Sequence, residues 1–575
     1  MAYGMPLTQN LPKNPRMNHL NIQNLKVNFH SREGIVQAVD KINLTIHAGE
    51  VIGLVGESGS GKSVTCSSIL QLLPSPPARI ESGKIQWSGI DLLRQNDQTM
   101  QRIRGKEISM IFQDPMSCLN PYIPILDQVA EPLVIHQICD TKLAKEKARE
   151  MLLEVGVQRI LDHPNAYPHE FSGGMCQRAM IAMALITEPS LLLADEPTTA
   201  LDVTVQAKVL SILKNLCEKL STSILFVSHD LGLVAELADR VVVMYRGKVV
   251  EQNDTHSIFT HPKHPYVQAL IACRPTLDVS EERLPTVEDF IHSGETRTPV
   301  PLKSSEPNPT SDQKNLIEAR DLIVEFKTDQ GVIRAVDKVS LSIKSGQTHG
   351  LVGESGSGKT TLGRTLLNLI NKTSGEIWLN QEKVSGSGRK YNLGFRKSMQ
   401  IIFQDPYASL NPRLTIEQTL IEPMIVHQIG KSQNERLDRV ISLLEEVGLG
   451  AEHLTRYPHQ FSGGQRQRIC VARALTTEPQ FIVCDECVSA MDVSVQAQVL
   501  NLLKSLQVNR NLTYLFISHD LGVVKFMSDE ISVMQNGCIV ETGSAEDIYQ
   551  NPQTGYTKQL IDSIPAANRS ASPIV

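Results

Sequence analysis

A chain of 575 residues is too long for a single hydrophobic core and is expected to divide into several compact units. Charged residues make up 21% and hydrophobic residues 41%, with a net charge of -6, an ordinary globular balance that excludes a nucleic-acid scaffold and a polyacidic tail. No apolar run approaches the roughly 20 residues needed to cross a bilayer, so any membrane must be reached through partners.

Met1 to Met17 is polar, holds three prolines and lacks the apolar stretch of a secretory signal, which predicts a disordered lead-in. From Asn18 the pattern is α/β. Apolar runs of strand length at Val51–Val55, Leu191–Ala194 and Ile224–Val227 each end at a polar motif, as in a buried parallel sheet with its sites at the carboxyl ends of the strands. The first run leads into Gly56-Glu57-Ser58-Gly59-Ser60-Gly61-Lys62-Ser63, a phosphate-binding P-loop. Its glycines let backbone N–H groups turn toward phosphate oxygens, the following helix offers its positive end, and Lys62 reaches the outer phosphates. Ser63 would give its hydroxyl to Mg2+. Next come Phe112-Gln113-Asp114-Pro115, a stretch of helix formers at Thr141–Val155 that predicts an inserted helical subdomain, and Phe171-Ser172-Gly173-Gly174-Met175. Asp195 and Glu196 end the second apolar run in the Walker B arrangement, where the aspartate holds Mg2+ and the glutamate polarises the attacking water. Ser228-His229-Asp230 ends the third.

The chain then repeats itself. The P-loop recurs at Gly353, Ser355, Gly356, Gly358, Lys359 and Thr360, 297 residues on; Phe403-Gln404 follows at an offset of 291. Ser462-Gly463-Gly464, Asp485-Glu486 and Ser518-His519-Asp520 all follow at 290. An offset that falls slightly and then holds means two full-length copies differing by short surface deletions, at residues 18–274 and 316–575. Between them, 275–315 carries six prolines with no helical or strand period and is expected to be a flexible, partly extended linker. The ten cysteines lack disulfide-like spacing. The one Cys-x-x-Cys, Cys484 with Cys487, flanks the second acidic pair, where small buried side chains are expected rather than a redox or metal site.

Ser-Gly-Gly ahead of the Walker B pair, twice, with Gln177-Arg178 and Gln467-Arg468 behind it, resembles the signature of ABC transporter ATPases. The resemblance implies two tandem P-loop NTPase cassettes, each a RecA-like parallel-sheet core with an inserted helical subdomain. It implies ATP and Mg2+ as ligands, with Gln113 and Gln404 as Q-loop residues at the metal or water, and His229 and His519 on the terminal phosphate. Asp202 and Asp492 fall at the D-loop. Phe29 and Phe326, each 27 residues before its P-loop, are candidates to stack on adenine. It further implies that Lys62, Asp195 and Glu196 share a nucleotide with Ser462, Gly464 and Gln465, and that Lys359, Asp485 and Glu486 share one with Ser172 and Gly174. This sequence departs from the family pattern at Met175, where glutamine is usual, and at Cys487, where proline is usual. Both sites are still expected to hydrolyse ATP.

The tail of the first copy, with His261-Pro262, His264-Pro265-Tyr266 and Ala269-Leu270, resembles the C-terminal extension of oligopeptide, dipeptide and nickel importer ATPases; Asn551-Pro552, Tyr556-Thr557 and Gln559-Leu560 repeat part of it. The implied assembly has two integral-membrane permease subunits and a solute-binding protein, with this chain peripheral on the cytoplasmic face of the bacterial inner membrane and no nucleic acid. Peptide or glutathione is the implied cargo. Only Cys273 stands where some relatives cluster cysteines, so no iron–sulfur cluster is expected. The alternative, a soluble twin-cassette ATPase acting on ribosomes, typically carries a long charged helical linker, unlike the proline-rich segment here.

Overall fold

The structure is a computed structural model, and it describes residues 18–31, 34–198, 203–277, 282–291, 314–328, 331–384, 389–489 and 491–565. The lead-in expected at residues 1–17 and most of the expected linker lie outside that set.

Each copy builds the same two sheets. In the first copy, strands Gly34–His47, Asn18–Ser31, Ala78–Trp87 and Ile90–Asp91 lie side by side in that order, all antiparallel. Along Gly34–His47, Val39, Ile42, Leu44 and Ile46 are buried while Lys41 and Asn43 are exposed, the alternation of a sheet with one wet face. The second sheet has six strands in the order Lys248–Asp254, Arg240–Tyr245, Val51–Val55, Ser223–Ser228, Leu191–Asp195, Ile108–Ile111. All its pairings are parallel except that of the edge strand Lys248–Asp254. Every residue of Leu191–Asp195 and Ser223–Ser228 is buried, as continuous apolar runs covered on both faces must be. The second copy repeats this order with Cys538–Ser544, Glu530–Gln535, Thr348–Val352, Thr513–Ile517, Phe481–Asp485 and Met399–Ile402.

The helical subdomain forms where helix formers cluster. Thr141–Glu154 is a helix whose buried Ala144, Ala148 and Leu152 recur every four residues, and the Asp140 carboxylate caps it by accepting from Leu143 N. Ile125–Ile135 lies beside it, and Ile416–Val426 with Gln433–Glu446 repeats the pair in the second copy.

By their contacts the residues fall into two units, one formed by residues up to 198 with 209–229 and 237–258, the other by 199–208, 230–236 and the chain from 259 onward. Within the second unit, the first part of the expected linker is folded. Cys273 and Leu284 are buried in one core with Leu500, Leu503, Val523 and Val524. Leu284 N donates to Asn501 Oδ1 at 2.9 Å and Asn501 Nδ2 donates to Leu284 O at 2.8 Å, so one side-chain amide satisfies both backbone groups. Lys525 Nζ donates to Leu277 O at 2.6 Å. A short helix, Val287–Ile291, follows, its start held by Asp289, which accepts from Thr286 N at 2.7 Å and Thr286 Oγ1 at 2.8 Å. The expectation of a flexible linker does not hold over 282–291: five helical residues are too few to show a period in sequence, and the stretch is ordered by long-range contacts. Asn501→Ala strands the two backbone groups of Leu284, at about 1–3 kcal/mol, and is expected to speed limited trypsin cleavage at Arg283 about tenfold. Unchanged cleavage would show that this pairing does not hold the segment.

Candidate functional site

The buried strand Val51–Val55 delivers the chain to Gly56, Gly59 and Gly61, with φ of +152°, +79° and +101°, and Gly61 caps the helix Lys62–Ile69. Lys62 is buried beneath the loop, its ammonium donating to Gly56 O at 2.7 Å and Glu57 O at 3.0 Å. The second copy matches it, with Lys359 Nζ donating to Gly353 O at 2.8 Å and Glu354 O at 2.9 Å. Each loop is thus a turn of inward backbone closed by its own lysine, ahead of a helix N-terminus.

The adjoining strands bring in the acidic groups. Asp195, last in its buried strand, accepts from Ser63 Oγ at 3.0 Å; Asp485 accepts from Thr360 Oγ1 at 2.8 Å. Burial pushes both aspartates above the usual carboxylate range, and the neighbouring glutamate adds to the rise; the hydroxyl bond opposes it. A carboxylate beside a hydroxyl is a hard-oxygen donor pair that suits Mg2+. The next residues, Glu196 and Glu486, take left-handed φ of +49° and +50° while their N–H groups still bond to Val227 O and Ile517 O at 3.0 Å. The chain leaves the sheet at that residue, where the side chain meets two others. Gln113 Nε2 donates to Glu196 Oε2 at 2.8 Å, and His229 Nδ1 lies 3.4 Å from the same oxygen. Gln404 and His519 stand at 2.9 Å and 3.5 Å from Glu486 Oε2. The His519 hydrogen bond holds Glu486 below the usual carboxylate range against desolvation. Burial pulls His519 down, but the bond and charge of Glu486 together with the charge of Asp520 raise it above the ordinary histidine value. Each copy therefore gathers a lysine-closed phosphate loop, a hydroxyl–carboxylate pair and a Gln–Glu–His cluster.

The Ser-Gly-Gly motifs begin helices Gly173–Leu185 and Gly463–Leu475. Ser462 Oγ accepts from Gln465 N at 3.3 Å while Gln465 Oε1 accepts from Ser462 N at 3.1 Å, a reciprocal cap. Met175 has no oxygen to return that bond, so of the reciprocal cap Ser172 retains the half in which its Oγ accepts from Met175 N at 3.4 Å. A Cβ on Gly464 would sit 2.3 Å from Val495 Cγ1, so that turn admits no side chain without movement. Gln177 Nε2 ties its helix to Pro197 O, and Arg178 and Arg468 bond backbone oxygens of Gly156 and Val447 at 3.0 Å and 3.2 Å. Asp492 stands at the N-cap position of the helix Val493–Arg510; Asp202 lies outside the described residues. Phe29 packs against the first copy's core, whereas Phe326 is 40% exposed. In the tail, His264 Nδ1 caps the helix Pro265–Ala272 by accepting from Tyr266 N at 3.1 Å. Cys484 and Cys487 are buried side by side, and their hydrogen bond together with burial pushes the Cys484 thiol well up, the behaviour of packed rather than reactive thiols. One residue at the site escaped sequence reasoning: Arg364, whose Nη2 lies 3.4 Å from Asp485 Oδ2. Its only sequence signal was an arginine in register with Ser67 of the first copy.

The model of the ABC transporter family matches residues 39–199 and 336–489, the two stretches that hold the lysine-closed loops, Gln113 and Gln404, and the Asp–Glu pairs, while His229 and His519 follow them in the chain. This chain belongs to the ABC transporter family. A second model, the C-terminal region of oligopeptide/dipeptide transporters, matches 250–293 and 540–574, the two tails. The chain is similar to a peptidoglycan transport ATP-binding protein of Agrobacterium fabrum, 44% identical over 94% of this chain and 95% of that one. It is also similar to a glutathione import ATP-binding protein of Escherichia coli K12, 42% identical over 96% of this chain and 90% of that one. As an ABC ATPase, it binds ATP and couples its hydrolysis to transport.

Proposed function

We propose that this ABC ATPase powers uptake of peptides, glutathione among them, from the cytoplasmic face of the bacterial inner membrane through two separate permease subunits fed by a solute-binding protein. The observation that carries the import reading is the paired tail match to the oligopeptide/dipeptide transporter region, together with full-length likeness to a glutathione import protein. Among the described residues no helix is long and apolar enough to cross a membrane, which leaves the pathway to partners.

In this reading Lys62 and Lys359 hold the outer phosphates. Ser63, Asp195 and Gln113, and likewise Thr360, Asp485 and Gln404, would hold Mg2+, which supplies charge neutralisation at the phosphates. Glu196 and Glu486 orient the attacking water, with the Gln–His pairs fixing the carboxylate by the bonds described above. Reconstitution tests the assignment: the tagged chain should co-purify with two membrane subunits, and the complex in proteoliposomes should accumulate labelled glutathione or a short peptide only with ATP. The Lys62→Ala/Lys359→Ala double variant should abolish accumulation. Recovery with ribosomes and no membrane subunit would overturn the reading.

A further inference from the structure

The two Walker aspartates do not stand in equal surroundings. Both accept one hydroxyl bond on Oδ1, at 3.0 Å for Asp195 and 2.8 Å for Asp485. Among the described residues only Asp485 has a guanidinium at its other oxygen, with Arg364 Nη2 3.4 Å from Oδ2. Arg364 stands five residues beyond Lys359 on the helix Lys359–Leu366, which presents it along the strand end that carries Asp485. The same register in the first copy holds Ser67, and the cation bearing on Asp195 is Lys62. Arg364 is held by that single bond, since its buried Nε has no partner among the described residues, and its side chain is 43% exposed.

We propose that Arg364 is a positioning residue that competes with the divalent cation for Asp485, so the second copy takes up metal–nucleotide more weakly than the first. This rests on the reading of Asp485 as a magnesium holder. With Thr360 Oγ1 on Oδ1 and the guanidinium on Oδ2, a cation that enters beside Thr360 meets a carboxylate whose charge Arg364 already offsets, and the repulsion between the two cations is relieved only as the guanidinium swings toward solvent. Asp195 asks for no such exchange. When Mg2+ is limiting, the first copy's site loads before the second's.

Manganese isotherms followed by EPR, with a non-hydrolysable ATP analogue on the full chain, test this without reference to turnover. Wild type is expected to show two classes of Mn2+ site about tenfold apart in affinity. Arg364→Ser should tighten the weak class to within about threefold of the strong one. Arg364→Lys, which keeps the charge, should leave the weak class loose, and Ser67→Arg should loosen the strong class. A single class in wild type, or an isotherm unmoved by Arg364→Ser, overturns the competition while leaving the magnesium reading intact. Asp485→Asn separates the two ideas: if it spares Mn2+ binding, the reading of Asp485 fails and the proposal falls with it.

Discussion

Replacing both Walker glutamates, Glu196→Gln with Glu486→Gln, is expected to lower ATP turnover about 10²–10⁴-fold while ATP affinity changes little. The amide keeps the shape and volume of the carboxylate, so the neighbouring P-loop, at which Lys62 donates to Gly56 O and Glu57 O, is left as it was. It removes the negative oxygen that Gln113 and His229 approach at 2.8 Å and 3.4 Å, and with it the charge proposed to polarise water. Because Gln404 and His519 reproduce these distances around Glu486 to within 0.1 Å, each single variant should retain roughly half of the turnover. ATPase rates at saturating ATP, beside equilibrium binding of labelled ATP, decide it. A double variant that keeps a tenth of its turnover would remove the glutamates from the chemistry; an inert phenotype for Glu486→Gln alone would show unequal sites.

Much of this is legible in the sequence alone, because a repeated motif at a nearly constant offset is local information. Val51–Val55, Leu191–Ala194 and Ile224–Val227 carry the composition of buried strands, and Thr141–Val155 is rich in helix formers, so their types followed directly. What the sequence concealed depends on partners far apart in the chain. The antiparallel sheet joins Asn18–Ser31 to Ala78–Trp87 across the P-loop, and nothing in either strand names the other. Arg364 meets Asp485 121 residues away, and Leu284 meets Asn501 217 residues away. Proline-rich composition at 275–315 carried no sign of the order found at 282–291, because a segment without a period can still be fixed by another element's side chains. The Met175 departure was legible as a substitution; that it removes half of a reciprocal cap needed the geometry of Ser462 and Gln465.

Gly353→Ala is expected to abolish nucleotide binding at the second copy and to cost about 2–5 kcal/mol of stability, the sum of an overpacked contact and a left-handed alanine. At Gly353 φ is +153°, and a Cβ there would lie 2.1 Å from Met534 O and 2.9 Å from Ser357 Oγ. Met534 belongs to the central-sheet strand Glu530–Gln535, so its carbonyl cannot retreat without disturbing the pairing with Thr348–Val352. The loop must move instead. Gly353 O is also an acceptor for Lys359 Nζ at 2.8 Å, so the displacement carries the lysine with it and the effect reaches the phosphate site directly. Gly356→Ala is the matched control: φ is +79°, but nothing lies within 4 Å of the added carbon, so only the conformational cost of about 1–2 kcal/mol applies. Thermal unfolding together with binding of a fluorescent ATP analogue distinguishes the pair. Gly353→Ala should show the larger fall in melting temperature and the loss of one binding site, whereas equal falls would mean that the Met534 carbonyl does not set the position of the loop.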